Sequence, residues 1–457
     1  MAEHPFDLVV LGGGSGGYAA ALRAAELGSR VALIEKDKVG GTCLHRGCIP
    51  TKAMLHAAEV ADSARTAEKF GVLASLEAVD PELLARYRDG VVAKKFKGLE
   101  GLVRARGITV VHGEGTLLSS TSVAVGDEVY TGANLVLATG SASRSLPGLE
   151  LGGRVITSDD ALKLDWIPNR VAVLGGGVIG VEFASLWRSF GAEVTIIEAL
   201  PHLVPNEDET ISKGLERAFR RREIDFRLGV RFQGVTQTDD GVTVSLENGD
   251  RVEADLLLVA VGRGPVTDGL GFEEAGVELD RGFVVTDARL RASVAGVYAV
   301  GDIVPGLQLA HRGFQQGVFV AEEIAGLNPV VVDDALVPRV TYCDPEVASV
   351  GLSEAKAAQV HGADAITAYE YSLAGNGKSE ILGTNGVVKV VRVNDGPVVG
   401  IHLLGARVGE LIGEAQLVVG WDAHPEDVAP LVHAHPTQNE ALGEALLKLA
   451  GKPLHAL

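Results

Sequence analysis

Two cysteines, Cys43 and Cys48, stand in the segment GGTCLHRGCIPTK at residues 40–52. Thiols this close can act as a dithiol–disulfide pair if the backbone lets them meet. In a regular α-helix a spacing of five residues is an axial rise of ~7.5 Å, beyond the roughly 7 Å over which two Cα atoms can be bridged. A bond therefore needs an irregular turn, which Gly40, Gly41 and Gly47 allow. Pro50 suits a first helical turn and sets Cys48 near a helix N-terminus, where a thiolate is stabilised. Lys52, four residues on, shares that helix face and adds positive charge. Two thiols and His45 without a second cysteine pair make a poor zinc set, and no metal site is expected. Two free buried thiols remain the alternative. Cys343, alone in TYCDPEVASVG, reads as a small packed apolar residue.

A second candidate lies near the C-terminus, where residues 433–440 read HAHPTQNE. Pro436 pushes His435 into an extended conformation and then suits a helix start. Thr437 and Glu440 fit a capping box, which explains Glu440 without chemistry. Alternatively, Glu440 holds the His435 imidazole in one tautomer so that it can shuttle a proton. The residues alone leave both readings open.

Gly12, Gly14 and Gly17 follow an apolar strand and open an Ala-rich helix, with Glu35 at the next strand end. In that context the glycines make a tight turn, admit a pyrophosphate and pack helix on strand, while the acid accepts ribose hydroxyls. Gly175, Gly177, Gly180 and Glu198 repeat the pattern at a constant offset of 163 residues, so the chain is expected to bind two dinucleotides. Glu198 suits a free 2′-hydroxyl, and Ala199 and Leu200 bring no arginine for a 2′-phosphate; NAD is favoured over NADP.

The elements that position these residues are two βαβ units of an α/β fold. Between them runs a helical stretch from about Pro50 to Leu102, then short strands ending in NLVLATG. Strand-like alternation follows at 224–261, ending in LLLVAVGRGP, with a strand-to-turn VYAVGD at 297–302. From about Asp333 an α+β mixture has strands at 386–404 and helices around 409–420 and 437–449. Arg217, Arg220, Arg221 and Arg222 read as a solvated helix terminus. Glycine, at 58 of 457 residues, is nearly double the usual share of about 7%, which the phosphate loops and turns explain. A net charge of −19 repels phosphate backbones and argues against nucleic acid. Three cysteines point to a reducing compartment, and no apolar run approaches membrane-span length. With no signal-like start, a soluble cytoplasmic protein is expected.

From about residue 6 to residue 452 the motifs, in order, resemble the pyridine nucleotide-disulfide oxidoreductases, whose active disulfide sits in a GGTCxxxGCIPTK segment. Within that family they look most like the members that oxidise dihydrolipoamide for 2-oxo-acid dehydrogenase complexes. The resemblance implies two Rossmann-like domains, for FAD at the first loop and NAD at the second, plus a C-terminal α+β dimerisation domain. The expected boundaries are 1–149 for the first part of the FAD domain and 150–275 for the NAD domain. Residues 276–333 would complete the FAD domain, and 334–457 would form the interface domain. It also implies a Cys43–Cys48 redox disulfide, with Cys43 exchanging with lipoamide and Cys48 against the flavin. Lys52 would sit near the flavin paired with Glu182, which by position alone reads as a first-turn acid. Thr42, Thr139, Gly140, Asp302 and the QLAH segment ending Leu309-Ala310-His311 would contact the flavin, and Gly262 the cofactor region. His435 and Glu440 become the acid–base pair, acting on the other subunit of a homodimer, with His433 structural. Gln438-Asn439 departs from the Leu-Ser of many members, and Arg312 has no account from sequence. The implied partners are dihydrolipoamide and a lipoyl-bearing acyltransferase or carrier protein. A glutathione-type reductase would want basic residues at the second ribose, and a mercuric reductase a C-terminal cysteine pair, which GKPLHAL lacks. A redox sensor without turnover would not need a placed base.

Overall fold

A computed structural model describes residues 2–456. The first sheet is built on the apolar runs around the first glycine loop. β1 (Ala2–Leu11) and β2 (Val31–Glu35) are joined by α1 (Ser15–Glu26) and pair in parallel, Leu8 opposite Val31. Every residue of β2 is buried, as a strand covered on both faces requires. α2 (Gly41–Arg46), α3 (Cys48–Thr66) and α4 (Pro81–Ala105) follow. The helical stretch expected from Pro50 to Leu102 is thus broken. Gly71, at φ 76°, ends a short 3-10 turn, and residues 72–80 have no regular structure until Asp80 caps α4 with Pro81 in its first turn. β3 (Thr109–His112) and β4 (Glu128–Leu137) complete the order β3-β2-β1-β4. The hairpin 115–125 adds two antiparallel strands beyond β4.

The second sheet repeats this plan. β5 (Arg170–Leu174), α5 (Val178–Phe190), β6 (Glu193–Glu198), α6 (Glu209–Arg221), β7 (Ile224–Leu228) and β8 (Leu256–Val259) give the parallel order β7-β6-β5-β8. A three-stranded antiparallel sheet lies between β7 and β8 in the chain. At the end of α6, Arg217, Arg220 and Arg221 are exposed as expected, but Arg222 is not a solvated terminus. Its guanidinium donates to the Ser185 and Ser189 hydroxyls, to Asp62 and to the Asp344 carbonyl, tying α5, α3 and the C-terminal region together.

The chain then returns to the first sheet. β9 (Val297–Ala299) pairs in parallel with β4, and α7 (Ala310–Ile324) lies against α1. That approach requires glycine: a Cβ on Gly317 would come within 2.3 Å of the Gly16 carbonyl oxygen.

The C-terminal region is an antiparallel sheet. Its order is β10 (Arg339–Thr341), β11 (Glu346–Gly351), β14 (Val398–Gly405), β13 (Val387–Val393) and β12 (Ile366–Ser372). α8 (Val408–Gly420) and α9 (Glu440–Leu449) cover it, closing a core that includes Val350, Val390, Ile401, Leu403, Leu442 and Leu446. α9 begins at Glu440, later than Pro436 suggested, because the Thr437 hydroxyl donates back to the Ala434 carbonyl rather than capping a helix. Among the described residues no helix is long and apolar enough to cross a membrane.

Candidate dinucleotide and redox-thiol site

At both glycine loops the same contacts recur. A Cβ on Gly17 would sit 1.8 Å from the Gly12 carbonyl oxygen, and one on Gly180 would sit 1.9 Å from that of Gly175. Gly12 and Gly175 have φ of 104° and 111°, a region that favours glycine, and each lies against the carbonyl of Ala138 or Ala260. Around Gly14 and Gly177, by contrast, a Cβ would meet nothing within 4 Å. The loops are therefore tight behind and open in front, with a helix N-terminus above the opening. That cradle fits a pyrophosphate, so the residues present suit a dinucleotide at each site. The amides of Gly13 and Asp37 donate to the two oxygens of Glu35 (2.7 and 2.8 Å), and those of Gly176 and Leu200 to Glu198 (both 2.7 Å). Each carboxylate is thus held rigidly and keeps lone pairs for ribose hydroxyls.

The redox segment folds directly onto the first loop. The Gly40 amide donates to the Gly13 carbonyl at 2.8 Å, and a Cβ on Gly41 would come within 2.7 Å of the Gly14 Cα. Gly40 and Gly41 take φ of 110° and 55°. Cys43 lies in α2 and Cys48 opens α3, with Gly47 (φ −143°, ψ −110°) breaking the helix between them. This is the irregular turn that the five-residue spacing demands. Thr42, beside Cys43, packs its carbonyl against Gly47. His45 is structural: its Nε2 lies 3.0 Å from the Val39 carbonyl, and its ring meets Phe96 edge-on.

Both cysteines are thiols here and share a hydrogen bond. Cys43 donates to Cys48, which, with help from the Lys52 ammonium and against burial, draws the Cys48 thiol down to about 7. The same hydrogen bond, reinforced by burial, pushes Cys43 far up. Cys48 is thus the thiolate of the pair. Cys343 is 1% exposed in the core with Phe183, Val347 and Leu404.

Lys52 Nζ donates to both oxygens of Glu182, at 2.9 and 2.8 Å. Glu182 is the fifth residue of α5, not a first-turn acid, and it is 3% exposed. Its place is therefore explained by its partners rather than by the helix dipole. Burial opposes the Lys52 charge, but the Glu182 carboxylate overrides it and holds the ammonium above its ordinary pKa. The Tyr342 amide donates to Glu182 Oε1 at 2.9 Å, a contact that no motif announces.

Thr139 and Gly140 are zipped to the end of the second sheet. The Thr139 hydroxyl donates to the Val266 carbonyl, the Val266 amide to that of Gly140 (2.9 Å), and 141–143 pair with 263–265. Gly262 turns the chain there at φ 108°. Asp302 accepts from the Ser141 hydroxyl (2.5 Å), which in turn accepts from Arg263 Nε (2.7 Å). Ser141 and Arg263 went unread in the sequence; the Ser after ATG and the Arg after Gly262 were the available signals. Leu309 is the N-cap of α7, Ala310 its first residue, and His311 Nε2 lies 2.7 Å from the Pro338 carbonyl. Arg312, unexplained before, is buried and donates to Asp334 and to the Pro305 carbonyl, both at 2.6 Å.

His435 Nδ1 and Glu440 Oε1 are 2.8 Å apart, and the second carboxylate oxygen takes the Thr437 amide at 2.7 Å. The glutamate half of the expected capping box and the imidazole contact are therefore present in one geometry, while the Thr437 hydroxyl does not cap. Burial would raise this carboxyl, but the Thr437 amide and the imidazole hold it below its ordinary value. An ionised carboxylate only accepts, so Nδ1 carries the proton and Nε2 is left as a base. The His435 side chain is 77% exposed, and its partner is on α9 rather than on the redox turn. His433 Nε2 lies 2.8 Å from Glu414, whose carboxylate also takes the Asn439 amide, so the Asn439 variation joins a structural network. Among the described residues no group of three or more His, Cys, Asp or Glu is arranged to hold a metal.

The pyridine nucleotide-disulphide oxidoreductase family model matches residues 6–317, and the dimerisation-domain model of the same family matches 337–446. A dihydrolipoyl dehydrogenase of Bacillus subtilis is 38% identical, the alignment covering 98% of this chain and 99% of the relative. A mitochondrial dihydrolipoyl dehydrogenase of Pisum sativum is 36% identical over 98% and 92%. Among solved structures, LpdA from Mycobacterium tuberculosis superposes with a TM-score of 0.90 at 26% identity, covering 98% of this chain and 100% of that one. The HOCl-induced flavoprotein disulfide reductase RclA from Escherichia coli reaches 0.87 at 28%, covering 97% and 99%. With one family's models matching both the N-terminal and the dimerisation regions and relatives aligned over nearly the whole length, the chain belongs to the pyridine nucleotide-disulphide oxidoreductases.

Proposed function

We propose that the chain oxidises dihydrolipoyl groups to lipoyl groups with NAD as acceptor, through FAD and the Cys43–Cys48 pair. The observation that carries this is the contact of the redox turn with the first glycine loop, Gly40 on Gly13 and Gly41 on Gly14. It sets a thiol pair beside whatever dinucleotide lies on that loop. Bound FAD supplies the two-electron relay between dithiol and NAD. Residues 1–149 and 276–333 are read as one FAD unit, which the β9–β4 pairing supports, with 150–275 as the NAD unit and 334–457 as the dimer unit.

On the protein's side, His435 Nε2 takes a proton from dihydrolipoamide. The resulting thiolate attacks Cys43 Sγ of the disulfide, and Cys48 leaves as a thiolate. Cys48 is the better leaving group because the Lys52 ammonium stabilises its charge. The substrate's second thiol then attacks the first sulfur, its proton passing to the departing Cys43 sulfur, and lipoamide leaves. Two electrons now rest on the dithiol. Lys52, fixed by Glu182, balances the thiolate, and Thr139, Gly140, Asp302 and the first turn of α7 line the flavin site.

His435 is exposed, and so are Leu431 and Val432 just before it in the chain, apolar side chains suited to covering by a second copy of the chain. In a homodimer joined there, His435–Glu440 of one subunit serves the redox turn of the other. The names of the relatives support a lipoyl-bearing acyltransferase or carrier protein of a 2-oxo-acid dehydrogenase complex as partner. A reducing, cytoplasmic setting suits a dithiol that must cycle.

Purified holoprotein assayed with dihydrolipoamide plus NAD, beside glutathione disulfide plus NADPH, tests the reading. Turnover with only the second pair would overturn it. His435→Gln should lose about a hundredfold or more of the first activity, in line with general-base contributions. Near-normal turnover would return that histidine to a structural role.

A further inference from the structure

Glu182 is a junction of three segments: α5 carries it, Lys52 reaches it from α3, and the Tyr342 amide reaches it from the turn between β10 and β11. Tyr342 makes a second contact that no motif or family match describes. Its ring lies under Lys52, with Nζ 4.8 Å from the ring centroid. That is within the roughly 6 Å over which an aromatic face attracts an ammonium. Lys52 is only 32% exposed, and Tyr342 is 38% exposed, so the ring is an outer wall for the ammonium. With Glu182 on one side and the ring on another, Lys52 has little freedom to leave Cys48, four residues back on the same helix.

We propose that Tyr342 is a positioning residue for the redox pair: its amide fixes Glu182 and its ring carries Lys52, so that the ammonium stays beside the Cys48 sulfur. The proposal rests on the redox-pair reading above. The main-chain half is indifferent to side-chain identity; the ring half is not. Tyr342→Phe keeps the face, whereas Tyr342→Leu and Tyr342→Met keep apolar bulk without it.

The test titrates Cys48 rather than turnover. In a Cys43→Ser background, which keeps a hydroxyl donor in place of the thiol, the reduced holoprotein is titrated and the Cys48 thiolate followed by its absorbance near ~240 nm. A Cys43→Ser, Cys48→Ser protein serves as blank. Loss of the ring should raise the Cys48 midpoint by about half to one pH unit in the Leu and Met variants. Tyr342→Phe should titrate like its parent. Leu and Met midpoints equal to the parent's would overturn the role of Tyr342, as would a Phe shift equal to theirs, which would assign the effect to the hydroxyl. A parent protein with no thiolate forming below pH 9 would instead sink the redox-pair reading itself. If one apolar variant fails to fold, the other gives the same discrimination.

Discussion

The two glycine loops are near copies on the face that meets phosphate and unlike on the face behind it. Close approaches of 1.8 and 1.9 Å, φ values of 104° and 111°, and carboxylate-to-amide contacts of 2.7 Å coincide between them. Behind the first loop, α1 presents Gly16, Ala19 and Ala20 to glycines of α7, so two backbones touch. At the offset of 163, α5 presents Ile179, Glu182 and Phe183 instead. There a buried acid meets Lys52, and the tilted rings of Phe183 and Trp187 pack with centroids 5.2 Å apart in a large core. The repeated half says that a dinucleotide can be held. The divergent half decides what stands next to it, and at the second copy that is the acid that anchors Lys52, the ammonium facing the thiol pair.

Breaking the shared half should give the largest effects, and different ones. A side chain at Gly17 or Gly180 must displace a carbonyl. A forced shift of this kind costs up to ~3 kcal/mol, about a hundredfold in affinity. Gly17→Val should therefore yield protein that loses its flavin colour on gel filtration. Gly180→Val should stay yellow and need about a hundredfold more NAD for half-saturation. Colour lost in both, or in neither, would mean that the two loops do not serve separate cofactors.

Next in size is the residue that most separates the copies. Glu182→Ala makes the second helix resemble the first, where Ala19 stands at this position. It leaves Lys52 unpaired and the Tyr342 amide without its acceptor. Removing one partner of a buried pair costs about 3 kcal/mol. A thermal midpoint several degrees lower, with FAD content unchanged, is the expected result, and an unchanged midpoint would show that the pair contributes little to folding. A smaller loss, ~2 kcal/mol, should follow Gly317→Ala, because its Cβ would press on the Gly16 carbonyl and the Ala20 amide. That change should loosen α7 from α1 and lower FAD retention while leaving NAD affinity alone.

This contrast also marks how far the letters carry. The parallel sheets, both loops, the acids at the strand ends and the need for a distorted turn between Cys43 and Cys48 are legible, because each rests on local backbone geometry that only certain residues permit. Glycine at Gly12 or Gly175 is demanded by φ, and a helix break between thiols five residues apart by helix rise. What lies outside that logic is contact over long chain separations. The Tyr342 amide reaches Glu182 across 160 residues, and any residue but proline offers an amide. Arg222 belongs by sequence to a basic helix end, yet folding surrounds it with hydroxyls, an acid and a carbonyl from three segments. The α9 start was misjudged for a local reason: Thr437 and Glu440 fit a capping box, but only Glu440 reaches back, while the Thr437 hydroxyl turns to Ala434.

The smallest expected effect concerns protons and should be felt only on the side of the first loop. In the dithiol form Cys48 titrates at about 7, against an ordinary thiol value of 9.0. Its folded pKa is depressed, so between these values the unfolded chain binds more protons than the folded one. Stability from this group is full above the ordinary value and is lost as pH falls from 9 toward 7. Cys43, displaced upward, acts in the opposite sense only above the ordinary value, where the unfolded chain releases its proton first. One thiol gives a slope of at most about 1.4 kcal/mol per pH unit, and a half-buried pair gives less. The thermal midpoint of the reduced protein should therefore drop by a few degrees from pH 9 to pH 7 relative to the disulfide form. Reduced Cys48→Ser should show only the smaller drop of the unsubstituted disulfide form, whereas reduced Gly180→Val, altered on the other loop, should keep the larger drop. A slope that survives Cys48→Ser would assign the proton to a different group and detach the thiolate from the first loop.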